Sequence, residues 1–379
     1  MPKPLIVCFT DSYPSSEYPR NGITYRDHAQ ALSHAADVAV ICCHTPTVWH
    51  SGSRKPKQIV SYDHSVFVWR GTWPVWSHKF GNFAAEAEKQ ALLHGFHRVE
   101  REFGRAPDFV LAHNVMPAGK WAAIIKSEYG HAFATIEHLS HLERLLKNQY
   151  DEIIQIYNQA TFIAGVSNSI KDLLIGYLPE PIHERTGVIG NVLGNEFQSH
   201  KPSPPPESGP FRWLFVGDDY FLKGPELLHQ VFSNLNRNDW QLTIIGSGQF
   251  APFRDDLSLQ GKVEFHRDLG RLQLIDIMQR HHALISTSHV DAFGKPILEM
   301  MAAGRPVVAT RSGGPQDYVT DECGIITNVG RRDELIKAVT RIQEEYHKYD
   351  SGQIRDYTLQ RYGQRVYADR ILNLIDVFS

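Results

Sequence analysis

Short apolar runs alternate with helical patterns along most of the chain. Each run is followed by a turn and then by apolar positions at helical spacing, first over Tyr25–His34. Strands that alternate with helices predict parallel sheets covered on both faces, the doubly wound α/β class. The predicted strands are Pro4–Thr10, Val38–Cys43, Asp108–His113, Ala132–Ile136, Phe162–Val166, Arg212–Val216, Gln241–Ile245, Lys262–Phe265, Ala283–Ser286 and Pro306–Ala309.

A proline-rich segment interrupts this alternation. Residues 199–210 read SHKPSPPPESGP, with five prolines and no large apolar side chain. Because proline lacks the backbone N–H and fixes φ, the segment predicts an interdomain linker rather than a strand or a helix. It separates an N-terminal domain, 1–198, from a C-terminal domain that begins at residue 211. Each part is long enough for one doubly wound sheet.

Composition and charge are those of an ordinary globular protein. The 379 residues are 42% hydrophobic and 21% charged, which excludes a wholly disordered chain. The formal net charge of −3 gives no support for a general nucleic-acid binder. No apolar stretch reaches the roughly 18 residues of a membrane span, and the N-terminal run is too short for a signal peptide. We therefore expect a cytoplasmic protein.

Neither the cysteines nor the histidines predict a metal or redox site. The cysteines, Cys8, Cys42, Cys43 and Cys323, form no C-x-x-C pair, so we expect buried thiols in a reducing compartment. The chain has 20 histidines, but no H-E-x-x-H motif and no group at metal-ligand spacing. We expect histidines scattered over the surface and the cleft, and no bound metal.

The strongest candidate site is the segment Asp291–Pro306, which follows a predicted strand. Pro296 fits the first position of a helix, where its missing N–H costs nothing. Gly294 allows a ligand close to the backbone, Lys295 adds a positive charge, and the helix N-terminus favours anions. We therefore predict a phosphate site here. Glu299, in the first turn of this helix, either reaches sugar hydroxyls or only complements the helix dipole.

Two further loops have the same design. Lys223 and Gly224 stand immediately before a helix that starts at Pro225, and Ser312–Pro315 precedes a third, short helix. In open α/β sheets, ligands bind beyond the carboxyl ends of the strands, where the strand order reverses. We therefore expect three strand-to-helix loops to converge on one polyanion.

One loop has the spacing of a dinucleotide fingerprint. Residues 246–251 match G-x-G-x-x-A, and Glu264 follows eighteen residues after Gly246. Pro252 and the polar stretch Arg254–Ser258 make an indifferent helix start. A plain strand-to-helix turn is therefore the stronger interpretation, and NAD binding the weaker one.

The N-terminal half offers a softer set of candidates. Gly22 precedes a predicted helix, so it can bring backbone N–H groups to a phosphate. His113 and His138 each follow a predicted strand, where a side chain meets a ligand bound at the carboxyl end of the sheet. Each histidine, taken alone, also fits a structural role.

Together these motifs resemble the retaining glycosyltransferases of family four, which have the GT-B fold. The segment from Asp291 to Glu299, with the apolar helix after it, resembles the family's E-x₇-E signature. Other segments resemble the family's glycine loop, its cleft loops and the end of its N-terminal domain. They read DSYPSSEYPRNGITYRDHAQAL, PDFVLAHN, ATIEH, FIAGVSNSIKDLL, GVIGNVLGNEF, LFVGDDYFLKG, LTIIGSG and SGGPQDYV. The resemblance covers most of the chain and implies two facing Rossmann-like domains with an interdomain cleft.

The resemblance also implies roles for the matching residues. Asp291 would lie near the donor sugar, Glu299 on the nucleotide ribose and Lys223 on the diphosphate. The residues implied in catalysis are His138, Lys223 and Asp291. The residues implied in donor binding are Gly22, Asp218, Arg267, Phe293, Gly294, Lys295, Pro296, Ile297 and Glu299. Members of this family need no metal or other cofactor, because lysine and helix dipoles neutralise the leaving diphosphate.

Two positions depart from the family pattern. Asp291 stands where the family has glutamate, and Asp218 stands where its R-x₄-K motif has arginine before Lys223. At about 4 Å and an effective dielectric constant of about 20, a carboxylate beside a phosphate costs on the order of 4 kcal/mol. Asp218 is therefore expected to turn away, pair with a base or bind another group. Arg267 or Lys295 would supply the missing cation, and we favour Lys295.

The acceptor side is less well defined. Residues 62–83 contain six candidates for sugar or membrane contact, namely Trp69, Trp73, Trp76, His78, Lys79 and Phe80. These side chains either stack on sugars or dip into a membrane interface, or they belong to a partly buried loop region. The last segment, Leu359–Phe378, resembles the closing helix that packs back on the N-terminal domain in this fold. That assignment leaves 211–358 as the C-terminal domain.

We therefore expect a retaining glycosyltransferase that moves a sugar from a UDP-sugar, or next a GDP-sugar, to an acceptor hydroxyl. The expected acceptor is a glycan, a lipid-linked glycan or a small metabolite. A lipid-linked acceptor is compatible with peripheral contact between the protein and the inner face of a membrane. Two alternatives remain open. One is a sugar-nucleotide epimerase or glycosyl phosphorylase on the same scaffold, and the other is a nucleotide-sugar binder without catalysis.

Overall fold

The computed structural model describes residues 3–44, 55–74, 81–139 and 141–378. The chain forms two compact units. Unit 1 comprises residues 1–166, 170–192 and 364–379, and unit 2 comprises residues 167–169 and 193–363. The proline-rich segment lies within unit 2, and it has no helix or strand from His200 to Pro210.

Unit 1 contains an eight-stranded sheet with the order β3-β4-β2-β1-β5-β6-β7-β8. The described strands are β1 Leu5–Phe9, β2 Asp37–His44, β3 Lys57–Asp63, β4 Val66–Thr72, β5 Phe109–His113, β6 Phe133–Glu137, β7 Phe162–Gly165 and β8 Thr186–Val188. All neighbours are parallel except the antiparallel pair β3 and β4. Every residue of β1 is buried, as a continuous apolar run covered on both faces requires.

Helices cover the sheet of unit 1. They are α1 Ile23–Leu32, α2 Gly81–Phe103, α3 Lys120–Tyr129, α4 Leu142–Asn148, α5 Tyr150–Gln159, α6 Asn168–Tyr177, α7 Glu180–His183 and, at the end of the chain, α15 Gln364–Phe378. An irregular turn, Val115–Gly119, in which Met116 is extended, follows β5. The closing helix predicted from Leu359 begins instead at Gln364, after Gly363 separates it from the preceding helix.

Unit 2 contains a six-stranded parallel sheet with the order β11-β10-β9-β12-β13-β14. The strands are β9 Phe211–Val216, β10 Trp240–Ile245, β11 Val263–His266, β12 Ala283–Ser286, β13 Val307–Thr310 and β14 Gly324–Thr327. The helices are α8 Asn195–Ser199, α9 Pro225–Ser233, α10 Ala251–Asp255, α11 Arg271–Gln279, α12 Lys295–Ala302, α13 Arg332–Glu344 and α14 Ser351–Tyr362. The ten strands predicted from the sequence are all present, and the α/β fold class is confirmed.

The structure corrects the interpretation of residues 62–83 as a loop region. Residues 57–72 form the hairpin of β3 and β4, and Trp69 lies in β4 with its side chain fully buried. Its indole ring occupies the space above Gly71 and Gly95, where a Cβ atom would lie 2.0 and 2.6 Å from it. Trp69 is therefore a core residue. Trp76, His78, Lys79 and Phe80 lie outside the described residues.

Among the parallel strands, the order reverses once in each sheet. In unit 1 the reversal lies between β1 and β5, and in unit 2 it lies between β9 and β12. At such a point the loops at the carboxyl ends of neighbouring strands diverge and leave room for a ligand. Within the described part of the chain, no helix combines the length and the hydropathy that a membrane span requires.

Candidate functional site

Three loops at the carboxyl ends of β9, β12 and β13 are tied together in unit 2. The Thr287 hydroxyl, just beyond β12, donates to the carbonyl of Gly224, 2.8 Å away, in the loop after β9. The backbone N–H of Asp291 donates to the carbonyl of Ser312, and the N–H of Gly314 donates back to the carbonyl of Asp291. The predicted meeting of three strand-to-helix loops is therefore present in the structure.

Lys223 and Asp291 form an ion pair where these loops meet. Lys223 Nζ donates to Asp291 Oδ2 at 2.6 Å. The lysine side chain is about one-third exposed and the carboxylate is 12% exposed, so the pair lies at the edge of the loops rather than in the core. Oδ1 of Asp291 also accepts the N–H groups of Phe293, at 3.3 Å, and Gly294, at 2.8 Å. The carboxylate thereby organises the loop in front of α12.

Tyr318 holds the other side of the same loop. Its buried hydroxyl donates to the carbonyls of Phe293 and Gly294, at 2.8 and 2.9 Å, and its ring stacks on Phe293. Burial, with the nearby charge of Asp291, raises the pKa of Tyr318 well above its ordinary value, so the hydroxyl remains a donor. Gly294 has φ +85°, and a Cβ there would lie 3.0 Å from the Tyr318 oxygen. The loop therefore has little room for any residue but glycine at this position.

Helix α12 begins at Lys295, one residue earlier than predicted, with Gly294 as its N-cap. Pro296 is consequently the second residue of the helix, and Glu299 lies in the second turn rather than the first. Glu299 is buried, with 6% of its surface exposed, whereas Lys295 is half-buried beside the N-terminus. The side chain of Ile297 is in the core, so only its backbone can face a ligand at this end of the helix.

Asp218 turns away from the ion pair. Its carboxylate accepts the backbone N–H of Ser247 at 2.7 Å, in the loop after β10. The neighbouring Asp219 accepts the N–H groups of Gln249 and Phe250, at 3.1 and 2.8 Å. Arg267 donates to the carbonyl of Gly248 in the same loop. The residues of the fingerprint-like segment are thus held by carboxylates of the adjacent loop.

Gly22 is the N-cap of α1 in unit 1. It has φ +73°, and a Cβ there would lie 2.4 Å from the carbonyl oxygen of Ser12, in the segment after β1. The glycine therefore allows the segment after β1 to pass close to the start of α1. This is the backbone arrangement that the sequence predicts for Gly22, although what it binds stays a prediction.

His138 lies directly after β6 and contacts His113, at the end of β5. His138 Nε2 and His113 Nδ1 are 3.1 Å apart. His113 is fully buried, which lowers its pKa well below the ordinary value, whereas His138 is half-buried. The two histidines considered separately in the sequence are therefore direct partners, and His28 of α1 lies against both rings.

A shell of polar residues fixes the backbone around His138. Asn114 Oδ1 accepts the backbone N–H of His138 at 2.9 Å, and Asn114 Nδ2 donates to the Tyr25 hydroxyl. The carboxylate of Glu137 accepts the N–H of Val115 at 3.1 Å. Glu137 is fully buried, and burial raises its pKa to about 7.

Several residues of these sites were missed by sequence reasoning. Three of them, Thr287, Tyr318 and Asn114, form hydrogen bonds to backbone groups that are distant in sequence. No local motif therefore indicates their role. Asp219 had a local signal, because it stands beside Asp218 at the carboxyl end of a predicted strand. The expectation of scattered histidines is wrong for His28, which joins His113 and His138.

The segment that carries the ion pair matches a known protein family. Residues 196–355 match the family model described as glycosyl transferases group 1. This segment is similar to the glycosyltransferases of group 1. The resemblance to this family, inferred from the motifs, is thereby confirmed. Lys223, Asp291 and α12 all lie within the matched segment.

Curated relatives include further glycosyltransferases. The uncharacterized glycosyltransferase MJ1178 of Methanocaldococcus jannaschii is 25% identical over 221 residues, which cover 56% of this chain and 59% of that protein. The chain spans about half the length of the curated relatives that it matches.

Two solved structures resemble the fold over nearly the whole chain. The apo form of the lipopolysaccharide outer core galactosyltransferase WaaB has a TM-score of 0.69 and 19% identity, covering 98% of this chain and 99% of that one. Anabaena Alr3699/HepE in complex with UDP and glucose has a TM-score of 0.73 and 17% identity, with the same coverage. The GT-B fold class is confirmed.

Proposed function

We propose that this protein is a retaining glycosyltransferase that moves a sugar from a nucleotide sugar to an acceptor hydroxyl in glycan biosynthesis. The observation that carries the proposal is the ion pair of Lys223 and Asp291, placed by two loops of the segment that matches the group 1 model, beside the N-terminus of α12. A lysine, a carboxylate and a helix N-terminus are the groups that a diphosphate and a sugar hydroxyl need at one point.

The main requirement of this reaction is to stabilise the negative charge on the leaving diphosphate. Lys223 and the N-terminus of α12 neutralise it, with Lys295 as the further cation, so the proposal requires no metal ion. When the phosphate pairs with Lys223 in place of Asp291, the carboxylate of Asp291 can accept a hydrogen bond from a hydroxyl of the donor sugar. Glu299 accepts from the ribose of the nucleotide, and His138 contacts the sugar.

Retention follows from attack on the face that the phosphate leaves. The bond between the anomeric carbon and the phosphate oxygen breaks, and the acceptor oxygen forms its bond to that carbon on the same side. The departing phosphate oxygen takes the proton of the acceptor hydroxyl, so charge and atoms balance without a separate base. UDP is the favoured nucleotide, supported by the HepE complex with UDP and glucose, and GDP is next.

The first experiment is a thermal-shift screen against nucleotides and nucleotide sugars in the presence of a chelator. A ligand at 100 times its dissociation constant stabilises a protein by about 2.7 kcal/mol, which gives a clear shift. We expect a response to uridine or guanosine diphosphate sugars, and then sugar transfer to an acceptor mixture with that donor.

Two variants make this experiment specific. Lys223→Ala should weaken donor binding about 10- to 100-fold, since it removes a charged hydrogen bond to phosphate. Lys348→Ala changes a lysine whose side chain is 60% exposed and should bind the donor like the wild type. A folded protein that responds to no nucleotide, or equal donor binding by both variants, would contradict the proposal.

A further inference from the structure

Four polar side chains lie together on one corner of the sheet in unit 2. Gln241 and Thr243 are two residues apart in β10 and therefore on the same face of the sheet. Arg212 of β9 is opposite Gln241, and Glu264 of β11 is opposite Thr243, so all four project from that face. A parallel sheet is normally covered on both faces by apolar side chains. This corner therefore departs from the rest of the sheet.

A cavity of about 410 Å³ lies over this corner. The four polar residues line it, together with Lys262 and His281. The opposite face of the same strands carries Trp213, Leu242 and Ile244, which belong to the hydrophobic core of unit 2. The cavity is therefore not a gap in that core. Its volume lies within the range of about 300–1,000 Å³ that small-molecule sites occupy.

Arg212 brings an uncompensated positive charge to the cavity. Its side chain is half-buried, and its guanidinium has no hydrogen bond or ion pair with any residue that the structure describes. Burial lowers the pKa of the neighbouring His281 and His282, and the charge of Arg212 contributes to both shifts. Both histidines are therefore neutral near pH 7. Because a buried charged donor without an acceptor is unfavourable, a ligand that supplies oxygen acceptors would be stabilised here.

The other charged groups of the cavity leave its net charge positive. Lys262 Nζ donates to Asn238 at 2.9 Å and lies 5.1 Å from the centre of the Trp240 ring, which fixes the ammonium beside the corner. Glu264 pairs with His266 at 2.9 Å, and the glutamate side chain is 69% exposed, so its carboxylate lies at the mouth of the cavity. Two cations, the guanidinium and the ammonium, thus accompany one carboxylate. This balance favours an anionic ligand.

We propose that this corner binds a small oxyanion that carries hydroxyl groups, the chemistry of a sugar phosphate or a sugar acid. Arg212 pairs with the phosphate or carboxylate oxygens, which match its planar guanidinium. Gln241 and Glu264 form hydrogen bonds with the hydroxyl groups. The site lies at the amino ends of the strands, whereas Lys223 and Asp291 follow the carboxyl ends, and a strand of six residues is about 20 Å long. The proposal therefore concerns a second site and does not rest on the proposed transfer reaction.

The test is calorimetric titration of the full chain with ribose 5-phosphate, ribonate and ribose, which share a carbon skeleton and differ in charge. We expect ribose 5-phosphate or ribonate to bind with a Kd below about 1 mM, and ribose to bind at least about 10-fold more weakly. Arg212→Gln removes the guanidinium and should lower the affinity for the oxyanion about 10- to 100-fold. Arg341→Gln changes an arginine whose side chain is 65% exposed in α13 and should bind like the wild type.

Lys223→Ala separates this site from the donor site, because Lys223 also attracts phosphate. The variant should keep the affinity of the wild type for the oxyanion. Circular dichroism shows whether each variant is folded. If Arg212→Gln does not fold, Gln241→Trp decides, since Gln241 is exposed and an indole there fills the cavity, which should lower the affinity at least about 10-fold.

Three results would overturn the proposal. The first is that neither oxyanion binds to the folded wild type. The second is that ribose binds as tightly as the oxyanions. The third is that binding is lost in Lys223→Ala and kept in folded Arg212→Gln or, where that variant does not fold, in Gln241→Trp.

Discussion

Asp291 links the two sides of the candidate donor site. One carboxylate oxygen accepts from Lys223, and the other accepts two backbone N–H groups at the start of α12. These hydrogen bonds fix the loop in front of α12. A phosphate that displaces the carboxylate from Lys223 leaves Asp291 held by Gly294, so the carboxylate stays in position for a sugar hydroxyl.

Lys295 is the residue that we expect to replace the family's arginine. Asp218 points to the loop after β10, and Arg267 donates to a carbonyl of that loop, so neither side chain is aimed at the ion pair. Lys295→Ala should therefore weaken nucleotide-sugar binding about 10-fold, while Lys348→Ala should not. Calorimetric titration of both variants measures this difference, and unchanged affinity in Lys295→Ala would end the hypothesis.

The side chain of Asp218 has a structural role in the loop after β10. Because its carboxylate accepts the Ser247 N–H, Asp218→Ala should destabilise unit 2 by about 0.5–1.5 kcal/mol. Asp218→Asn keeps an oxygen acceptor and should remain close to the wild type. Denaturant unfolding of the two variants checks this order. Sugar transfer should persist in Asp218→Asn, and its loss would instead favour a direct role for the carboxylate in donor binding.

At the scale of elements, the turn before α9 depends on one glycine. Gly224 has φ +64°, and a Cβ there would lie 2.2 Å from the carbonyl oxygen of Thr287. Gly224→Ala should therefore destabilise the protein by at least about 2 kcal/mol and move Lys223 away from Asp291.

Gly176 provides a matched control for this prediction. It lies in α6, without a positive φ and with no atom within 4 Å of a built Cβ. Gly176→Ala should raise the stability by about 0.5–1 kcal/mol, since alanine is the better helix former. Denaturant unfolding and donor titration of the pair separate the two effects. Equal stability changes in both variants would refute the role assigned to Gly224.

Four strands were missed in the sequence, and three of them share a physical cause. The fourth, β4, is a buried apolar run that the interpretation of residues 62–83 as a loop region passed over. β3 is mostly exposed and its longest apolar run is the pair Ile59 and Val60, so it lacks the apolar run by which the parallel strands are found. β8 and β14 have three and four residues and begin beside glycine or threonine, which gives a weak signal. All three gain their pairing from a neighbouring strand, which local sequence does not specify.

At the scale of the whole molecule, His281 makes stability depend on pH. It lies in unit 2, 7% exposed, where Nδ1 donates to the Ile277 carbonyl and Nε2 accepts from the Thr243 hydroxyl. Burial lowers its pKa to about 4. The unfolded chain takes up this proton near pH 6.5. The contribution of His281 to the free energy of unfolding is therefore fully present above pH 6.5 and is lost as the pH falls towards 4.

Comparison with His281→Gln measures this contribution. Between pH 6.5 and 4, the free energy of unfolding of the wild type should fall by about 3 kcal/mol more than that of the variant, which has no group to titrate there. Unfolding in urea at several pH values gives both curves. Parallel curves would show that His281 does not control the acid stability.

The α/β class, ten of the strands, the loops that carry Lys223 and Asp291 and the helix that carries Glu299 could all be predicted from the amino-acid sequence. These features depend on local spacing: apolar runs bounded by turns, and glycine or proline at helix starts. Three contacts could not be predicted in this way: the pairing of Lys223 with Asp291, the hydrogen bond of Asp218 to the loop after β10, and the packing of His28 against His113 and His138. Each of these contacts joins residues distant in sequence, and which loops meet is set by the strand order, which local patterns do not encode.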